Sequence, residues 1–266
     1  MTDRIVDLEA LNLRSAPDES TLANRIGILH LGQPVKEIGP ASAVGWVEID
    51  AEINGATKRG VVKGEIDGLP SLREPVSTAR EALVAEAIKE WLRFEKGQGL
   101  EHHDPFFKFV GEMWEAIGQH LDGKDRDVPW SAATISFMVR HAGSAFPKYK
   151  NFKFAAAHAR YIHDSVVQRK AGNTQAPFWG FRLHEKKPEI GDIVGRWRVT
   201  RRDFSDAESS DDFKSHTDII VSVRPDFVLA IGGNVRQSVN ITRYAKTGAG
   251  FLAPKDNVFI HMVNQA

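Results

Sequence analysis

Apolar and polar positions alternate in two rhythms along this chain, and the rhythm changes near residue 75. Before that point short β-rich runs recur at close intervals: Gly27-Ile28-Leu29-His30-Leu31, Val35-Lys36-Glu37-Ile38 and Gly45-Trp46-Val47-Glu48-Ile49. Gly, Pro, Asn and Ser punctuate them, as in short strands joined by tight turns. Residues 1–70 are therefore expected to form a small β-barrel. Residues 69–75, with two prolines and no periodicity, read as a linker.

From residue 76 the apolar spacing becomes helical. Thr78 and Glu81 stand at capping-box spacing, and Leu83, Val84, Ala87, Ile88, Trp91 and Leu92 make one apolar face. A second helix opens at Asp104-Pro105 and carries Phe106, Phe107, Val110, Met113, Trp114 and Ile117. A helix over about residues 152–170 carries Ala155, Ala156, Ala159, Ile162 and Val166. Beyond Pro188 the period falls to two, with strands expected at 192–199, 218–223, 227–231, 235–243 and 258–262 and an acidic surface loop at 203–212. Helices followed by neighbouring strands describe an α+β domain over residues 76–266, its sheet mainly antiparallel.

Between the second and last helices lies Val128-Pro129-Trp130-Ser131-Ala132-Ala133-Thr134-Ile135-Ser136-Phe137-Met138-Val139-Arg140-His141-Ala142-Gly143. Asp127 can cap a helix with Pro129 near its first position, and Gly143 can end it. Ser131 then falls in the first turn. Backbone N–H groups are unpaired there and the helix dipole is positive, which suits a nucleophile or an oxyanion. A small residue packed into a first turn satisfies the same pattern.

Composition narrows the chemistry. With 42% hydrophobic residues in 266, sizeable cores are available. Lys plus Arg equals Asp plus Glu at 35 each, so nothing points to a general nucleic-acid binder. The absence of cysteine excludes disulfides, thiolate metal sites and a cysteine nucleophile. The charged start, Met1-Thr2-Asp3-Arg4, lacks an apolar signal core, and no run approaches the roughly 20 apolar residues of a membrane span. A cytoplasmic product is expected; action outside the cell would need a route that reads no cleaved signal.

The histidines do not assemble a metal site from spacing. His102 and His103 are adjacent in a loop, and His158 and His163 are five apart on an expected helix, off the spacing of a zinc pair. Gly232-Gly233-Asn234 reads as a turn between strands, not as a phosphate cradle. His216 stands where the acidic loop enters a strand expected to be buried. With Ser131 it supplies the parts of a nucleophile–base pair.

Two resemblances add to this reading. Leu11-Asn12-Leu13-Arg14-Ser15-Ala16-Pro17, then Gly27-Ile28-Leu29, Gly32-Gln33-Pro34-Val35 and Gly45-Trp46-Val47, resemble bacterial SH3-like domains in order and spacing. Such domains often bind cell-wall peptides, which implies a targeting module with Trp46 as a binding residue. The usual second Gly-Trp pair is replaced by Gly60-Val61-Val62.

Further along, Trp130-Ser131-Ala132-Ala133 and the helix that follows resemble the catalytic helix of CHAP and NlpC-type (papain-like) peptidases. Pro188-Glu189-Ile190-Gly191-Asp192-Ile193-Val194 is similar to their strand entry. His216-Thr217-Asp218-Ile219-Ile220-Val221 resembles their base strand, and Ile231-Gly232-Gly233-Asn234-Val235 the segment after it. The wording is also similar to that of an uncharacterised bacterial family of the same group with serine at the cysteine position.

The resemblance implies a peptidoglycan amide hydrolase, amidase or endopeptidase. Ser131 would be nucleophile, His216 base, and Asn234 or Asp218 the orienter of the imidazole, with Trp130 and His158 lining the cleft. It implies no metal and no cofactor. Peptidoglycan is the expected partner. Delivery as an antibacterial effector would bring an immunity protein or a delivery protein as a second. Serine where the group has cysteine leaves three explanations: a native serine enzyme, a degenerate wall- or protein-binding module, or a replaced cysteine. A serine hydroxyl is far less acidic than a thiol with a pKa near 8.5, and a helix dipole worth about 1 kcal/mol does not ionise it. Ser131 therefore needs a base during attack.

Overall fold

A computed structural model describes all 266 residues, which divide into two compact units, Met1–Val76 and Ser77–Ala266. The first unit contains nine strands: β1 (Thr2–Val6), β2 (Ala10–Arg14), β3 (Arg25–His30), β4 (Pro34–Pro40), β5 (Trp46–Ile53), β6 (Ala56–Lys63), β7 (Glu65–Ile66), β8 (Leu69–Pro70) and β9 (Leu72–Arg73). Seven of them form an antiparallel sheet in the order β3-β2-β6-β5-β4-β1-β9, while β7 and β8 pair with each other. Period two decides the buried face: Leu11 and Leu13 on β2 and Ile49, Ala51 and Ile53 on β5 join Val6, Leu29, Val35 and Val62 in one core. Asn54-Gly55, both at positive φ, make the tight turn that sets the β5–β6 register. The expected linker is structured, because Leu72 and Arg73 pair with Val6 and Ile5 and extend the sheet.

The second unit sets helices against a sheet. Its elements are α1 (Thr78–Arg93), α2 (Phe106–Glu115), α3 (Ser131–Ala142), α4 (His158–Lys170), β10 (Phe178–Phe181), β11 (Ile193–Trp197), α5 (Phe204–Ser209), β12 (Ser215–Val223), β13 (Phe227–Val235), β14 (Ser238–Ala245) and β15 (Val258–Asn264). The six strands are all antiparallel, in the order β10-β15-β11-β12-β13-β14. Ser77 caps α1, accepting from the Arg80 N–H at 3.3 Å. α3 is the central helix: every residue from Ser131 to Val139 is buried between α1, α2 and strands β12 and β13. A satellite core on another part of the sheet gathers Val194, Ile220, Val228, Ala230, Tyr244, Leu252 and Val258.

Four departures from the sequence pattern have physical causes. The last long helix begins at His158, six residues later than its apolar spacing predicts. Ser136 Oγ on α3 donates to the Ala155 carbonyl and accepts from the Ala155 N–H, both at 3.1 Å, and Ala157 is extended, so 152–157 is pinned as a strap. Gly232 and Gly233 lie inside β13, and the reversal comes later, at Arg236-Gln237, both at positive φ. The acidic stretch contains the short helix α5, closed by a capping box between Asp203 and Asp206. Strand β10, four residues rich in aromatics, carries too little alternation to be read from sequence.

The Gly191-Asp192 motif turns out to be an anchor. Asp192 is fully buried and accepts from Arg80 Nη1 (2.9 Å), the Asn264 N–H (2.9 Å) and the Glu189 N–H (2.9 Å), with His261 Nε2 at 2.8 Å. It ties α1 to the sheet through charge-assisted bonds.

Candidate functional site

Ser131 is the first residue of α3, and its N-cap, Trp130, makes no side-chain capping bond. The N–H groups of the first turn are therefore directed at whatever lies beyond the helix end. The Ser131 hydroxyl has one side-chain partner: Oγ lies 2.6 Å from His158 Nε2. The late start of α4 is what allows this, because it puts His158 in the first turn, facing the first turn of α3.

The other imidazole nitrogen is also engaged. His158 Nδ1 lies 2.9 Å from Thr217 Oγ1, and the Tyr161 hydroxyl bonds the same nitrogen and reaches Thr217 Oγ1 at 2.8 Å. In the tautomer in which the Ser131 hydroxyl donates to Nε2, the ring proton sits on Nδ1, where Thr217 Oγ1 and the Tyr161 oxygen are its acceptors. Burial holds His158 well below the ordinary histidine range, reinforced by His216 and the Arg198 and Arg196 guanidiniums. His158 is thus held as a neutral imidazole, which in that tautomer accepts at Nε2. Burial likewise raises the Tyr161 hydroxyl well above its ordinary range, which keeps it a donor.

His216 sits in a second, adjoining group. Its Nε2 lies 2.9 Å from Asp218 Oδ1, its Nδ1 2.9 Å from Arg198 Nη2, and its ring centroid 5.1 Å from that of His158. The Tyr244 hydroxyl donates to the other Asp218 oxygen. Burial pushes the Asp218 carboxyl up, but His216, Tyr244 and Arg196 outweigh it and the net shift is downward. Strand alternation separates the two groups: Thr217 is bonded to α4, while Asp218 is bonded to Tyr244 of the satellite core.

The expected site residues therefore divide. Ser131 is brought to His158, a residue expected to line the cleft, and His216 is brought to Asp218. Two residues apart on one strand face, a histidine and an aspartate are long enough to close the gap, so Asp218 does reach the ring. Asn234 occupies a bulge of β13 with φ at 53° and makes no hydrogen bond to His216. Trp130 does not line a cleft: it is 2% exposed, its ring stacks on Phe94 at 5.7 Å between centroids, and its indole N–H donates to Glu101. An aromatic of that size is retained by the core formed between α1, α2 and α3. Trp46 lies in the first unit, where it lines a cavity of about 560 Å³ with Glu37, Pro40, Val47, Lys63 and Glu65.

Gly232 and Gly233 matter for packing. A Cβ at Gly233 would overlap the Thr134 side chain of α3, and one at Gly232 would overlap Asp218 Oδ1. Residue 232 is thus held open for a carboxylate that comes from the neighbouring strand.

Sequence reasoning missed Thr217, Tyr161, Ser136 and Arg198. Each looks like an ordinary strand, helix or loop residue, and no spacing signal marks it. Tyr161 alone offers a hint, three residues after His158 and so on its helix face.

Residues 104–263, more than half of the chain, match the family described as "Uncharacterized protein conserved in bacteria (DUF2272)". No curated protein matches the chain. Among solved structures, NlpC2 from Trichomonas vaginalis is similar at 11% identity over 94% of this chain and 71% of that one, with a TM-score of 0.22. NlpC1 from the same organism is similar at 10% identity over 94% and 67%, also with a TM-score of 0.22. At such scores neither likeness bears on the roles of individual residues.

Proposed function

The chain belongs to this bacterial family, and we propose that it is a peptidoglycan amide hydrolase with Ser131 as nucleophile and His158, in place of His216, as general base. The observation that carries the reading is the 2.6 Å approach of Ser131 Oγ to His158 Nε2 at the N-terminus of α3. It combines a nucleophile, an adjacent neutral base and unpaired backbone donors in one place.

The steps follow from those positions. Ser131 Oγ attacks the amide carbonyl as its proton passes to His158 Nε2. First-turn N–H groups of α3 take up the charge on the oxyanion. His158 then returns the proton to the leaving amine, which departs as the C–N bond breaks and leaves an acyl-serine. Water, giving its proton to the same nitrogen, attacks this ester, and the acid is released when the proton returns to Ser131. Thr217 and Tyr161 hold the ring. The His216–Asp218 pair, with Asn234 nearby on β13, shapes the adjoining wall of the site. In the first unit, the Trp46 cavity offers an aromatic floor with charged rims to a wall peptide.

The test is digestion of purified sacculi by the full chain, with mass analysis of released fragments. Ser131→Ala and His158→Ala are expected to lower release by about 10³-fold or more, as loss of a nucleophile or base does. His216→Ala is expected to lower it less. Equal release by wild type and Ser131→Ala would sink the serine mechanism.

A second reading, a wall-binding module without catalysis, is favoured by one observation. His158 has no carboxylate bonded to Nδ1, so the imidazolium formed during attack lacks the partner that stabilises it in a serine triad. Retention of the chain on sacculi with no fragment released would select this reading.

A further inference from the structure

Arg196 and Arg198 stand two residues apart at the end of β11 and across its edge, and neither has a carboxylate at ion-pair distance. Arg196 is paired in register with His216, so its side chain leaves the sheet on the His216 side. It is half-buried, makes no hydrogen bond or ion pair, and its Nε is buried without a partner. Arg198 is also half-buried, and its one side-chain bond is to a neutral-capable acceptor, His216 Nδ1, at 2.9 Å. Burial and the neighbouring Arg196 both push the Arg198 guanidinium below its ordinary range, and the pull of Asp218 does not fully offset them.

The nearby anion, Asp218, acts on them only at a distance. Asp218 has one oxygen on His216 Nε2 and the other on the Tyr244 hydroxyl, and neither forms an ion pair with Arg196. Three other buried or half-buried arginines of this unit do have carboxylates: Arg80 has Asp192 at 2.9 Å, Arg93 has Glu112 at 2.6 Å and Arg169 has Glu185 at 2.8 Å. Two unanswered guanidiniums are costly to hold half-desolvated, and a fork of planar donors fits an oxyanion. Arg198 bonds His216, whose ring lies 5.1 Å from that of His158, which in turn holds Ser131.

We propose that Arg196 and Arg198 form an anion subsite that binds a carboxylate of the substrate beside Ser131. The assignment deepens the amide-hydrolase reading and rests on it for the word substrate. It makes the preferred peptide one with a free carboxylate close to the scissile amide. A bound carboxylate would also supply the negative charge that the surroundings of His158 lack.

The test follows histidine resonances of the full chain during titration with N-acetyl-glutamate, its diamide, or inorganic phosphate, beside the sacculus digestion. N-acetyl-glutamate is expected to bind at least about tenfold more tightly than the diamide, as one charge-assisted contact requires. Arg196→Gln and Arg198→Gln should each remove that preference. Arg243→Gln, which touches Asp226 at 3.2 Å, should leave it intact. Equal binding of acid and diamide, or binding of neither, overturns the subsite even if sacculi are cut. Binding of phosphate without the acid overturns the carboxylate assignment. Selective binding of the acid with sacculi uncut keeps the anion subsite and sinks the hydrolase reading instead. The comparison of acid with diamide on the wild-type chain stands whether or not the arginine variants fold.

Discussion

The Asp218 carboxylate occupies the space that any side chain at residue 232 would need, because the two positions lie side by side on β12 and β13. Gly232→Ala is therefore expected to displace Asp218 from His216 or to spread the two strands. We expect a loss of about 1–3 kcal/mol in stability, the usual cost of overpacking a well-filled site. Gly232→Glu should cost more, and combining it with Asp218→Gly should recover part of the loss by returning a single carboxylate to the site. Denaturant unfolding of these variants and of Asp218→Gly alone measures this. Additive losses in the double variant would show that the two positions do not share the space.

Ser136 is a positioning residue for His158 and is fully buried on α3. Its hydroxyl satisfies both polar groups of Ala155, and that strap determines where α4 begins. Ser136→Ala leaves a buried N–H and C=O without this partner and should cost about 1–3 kcal/mol. If the strap also aims His158, kcat should fall with KM little changed, and Ser136→Thr should restore it in part. A stability loss with kcat intact would confine Ser136 to packing.

His158 should show in the acid limb of stability. Folded, it is held neutral well below its ordinary range; unfolded, it titrates near 6.5. The unfolded chain therefore binds more protons below that pH, and the His158 contribution, complete above it, is lost as pH falls. Replacing His158 with Gln is expected to flatten the stability curve below pH 6.5 by up to about 1.4 kcal/mol per pH unit. Parallel curves for the two proteins would mean that His158 is as easily protonated folded as unfolded.

Glu90 predicts the opposite sign. It is fully buried on α1, neither carboxylate oxygen has a hydrogen bond, and burial raises its pKa to about 7 against the pull of Arg93. Between an unfolded value near 4.5 and 7 the folded chain holds the extra proton, so stability falls as pH rises through that window. Glu90→Leu should stabilise the protein by roughly 1–3 kcal/mol at pH 8 and by much less at pH 5. Arg93 keeps Glu112 at 2.6 Å and is not orphaned by the change. A gain independent of pH would assign the effect to packing alone.

The local patterns of this chain determined a good deal. Helical spacing placed Ser131 in the first turn of a helix, and alternation placed Asp218 at the head of a buried strand with His216 at its entry, because both periodicities are properties of contiguous residues. They also separated an all-β segment from an α+β one. What meets what was decided by pairings distant in sequence. His158 reaches Ser131 because Ser136 pins Ala155 and delays α4, a contact that spans 19 residues and has no periodic trace. Asp218, and no residue at 232, supplies the acid to His216 because the pairing of β12 with β13 leaves room for one side chain at that point. Trp130, placed beside Ser131 by sequence, faces away from it because the aromatic packing of Phe94 and the Glu101 carboxylate claim its ring and its N–H. Sequence spacing settles which face of an element a residue occupies; only the tertiary fold settles which atoms stand opposite that face, since that depends on packing, register and hydrogen bonds made between elements.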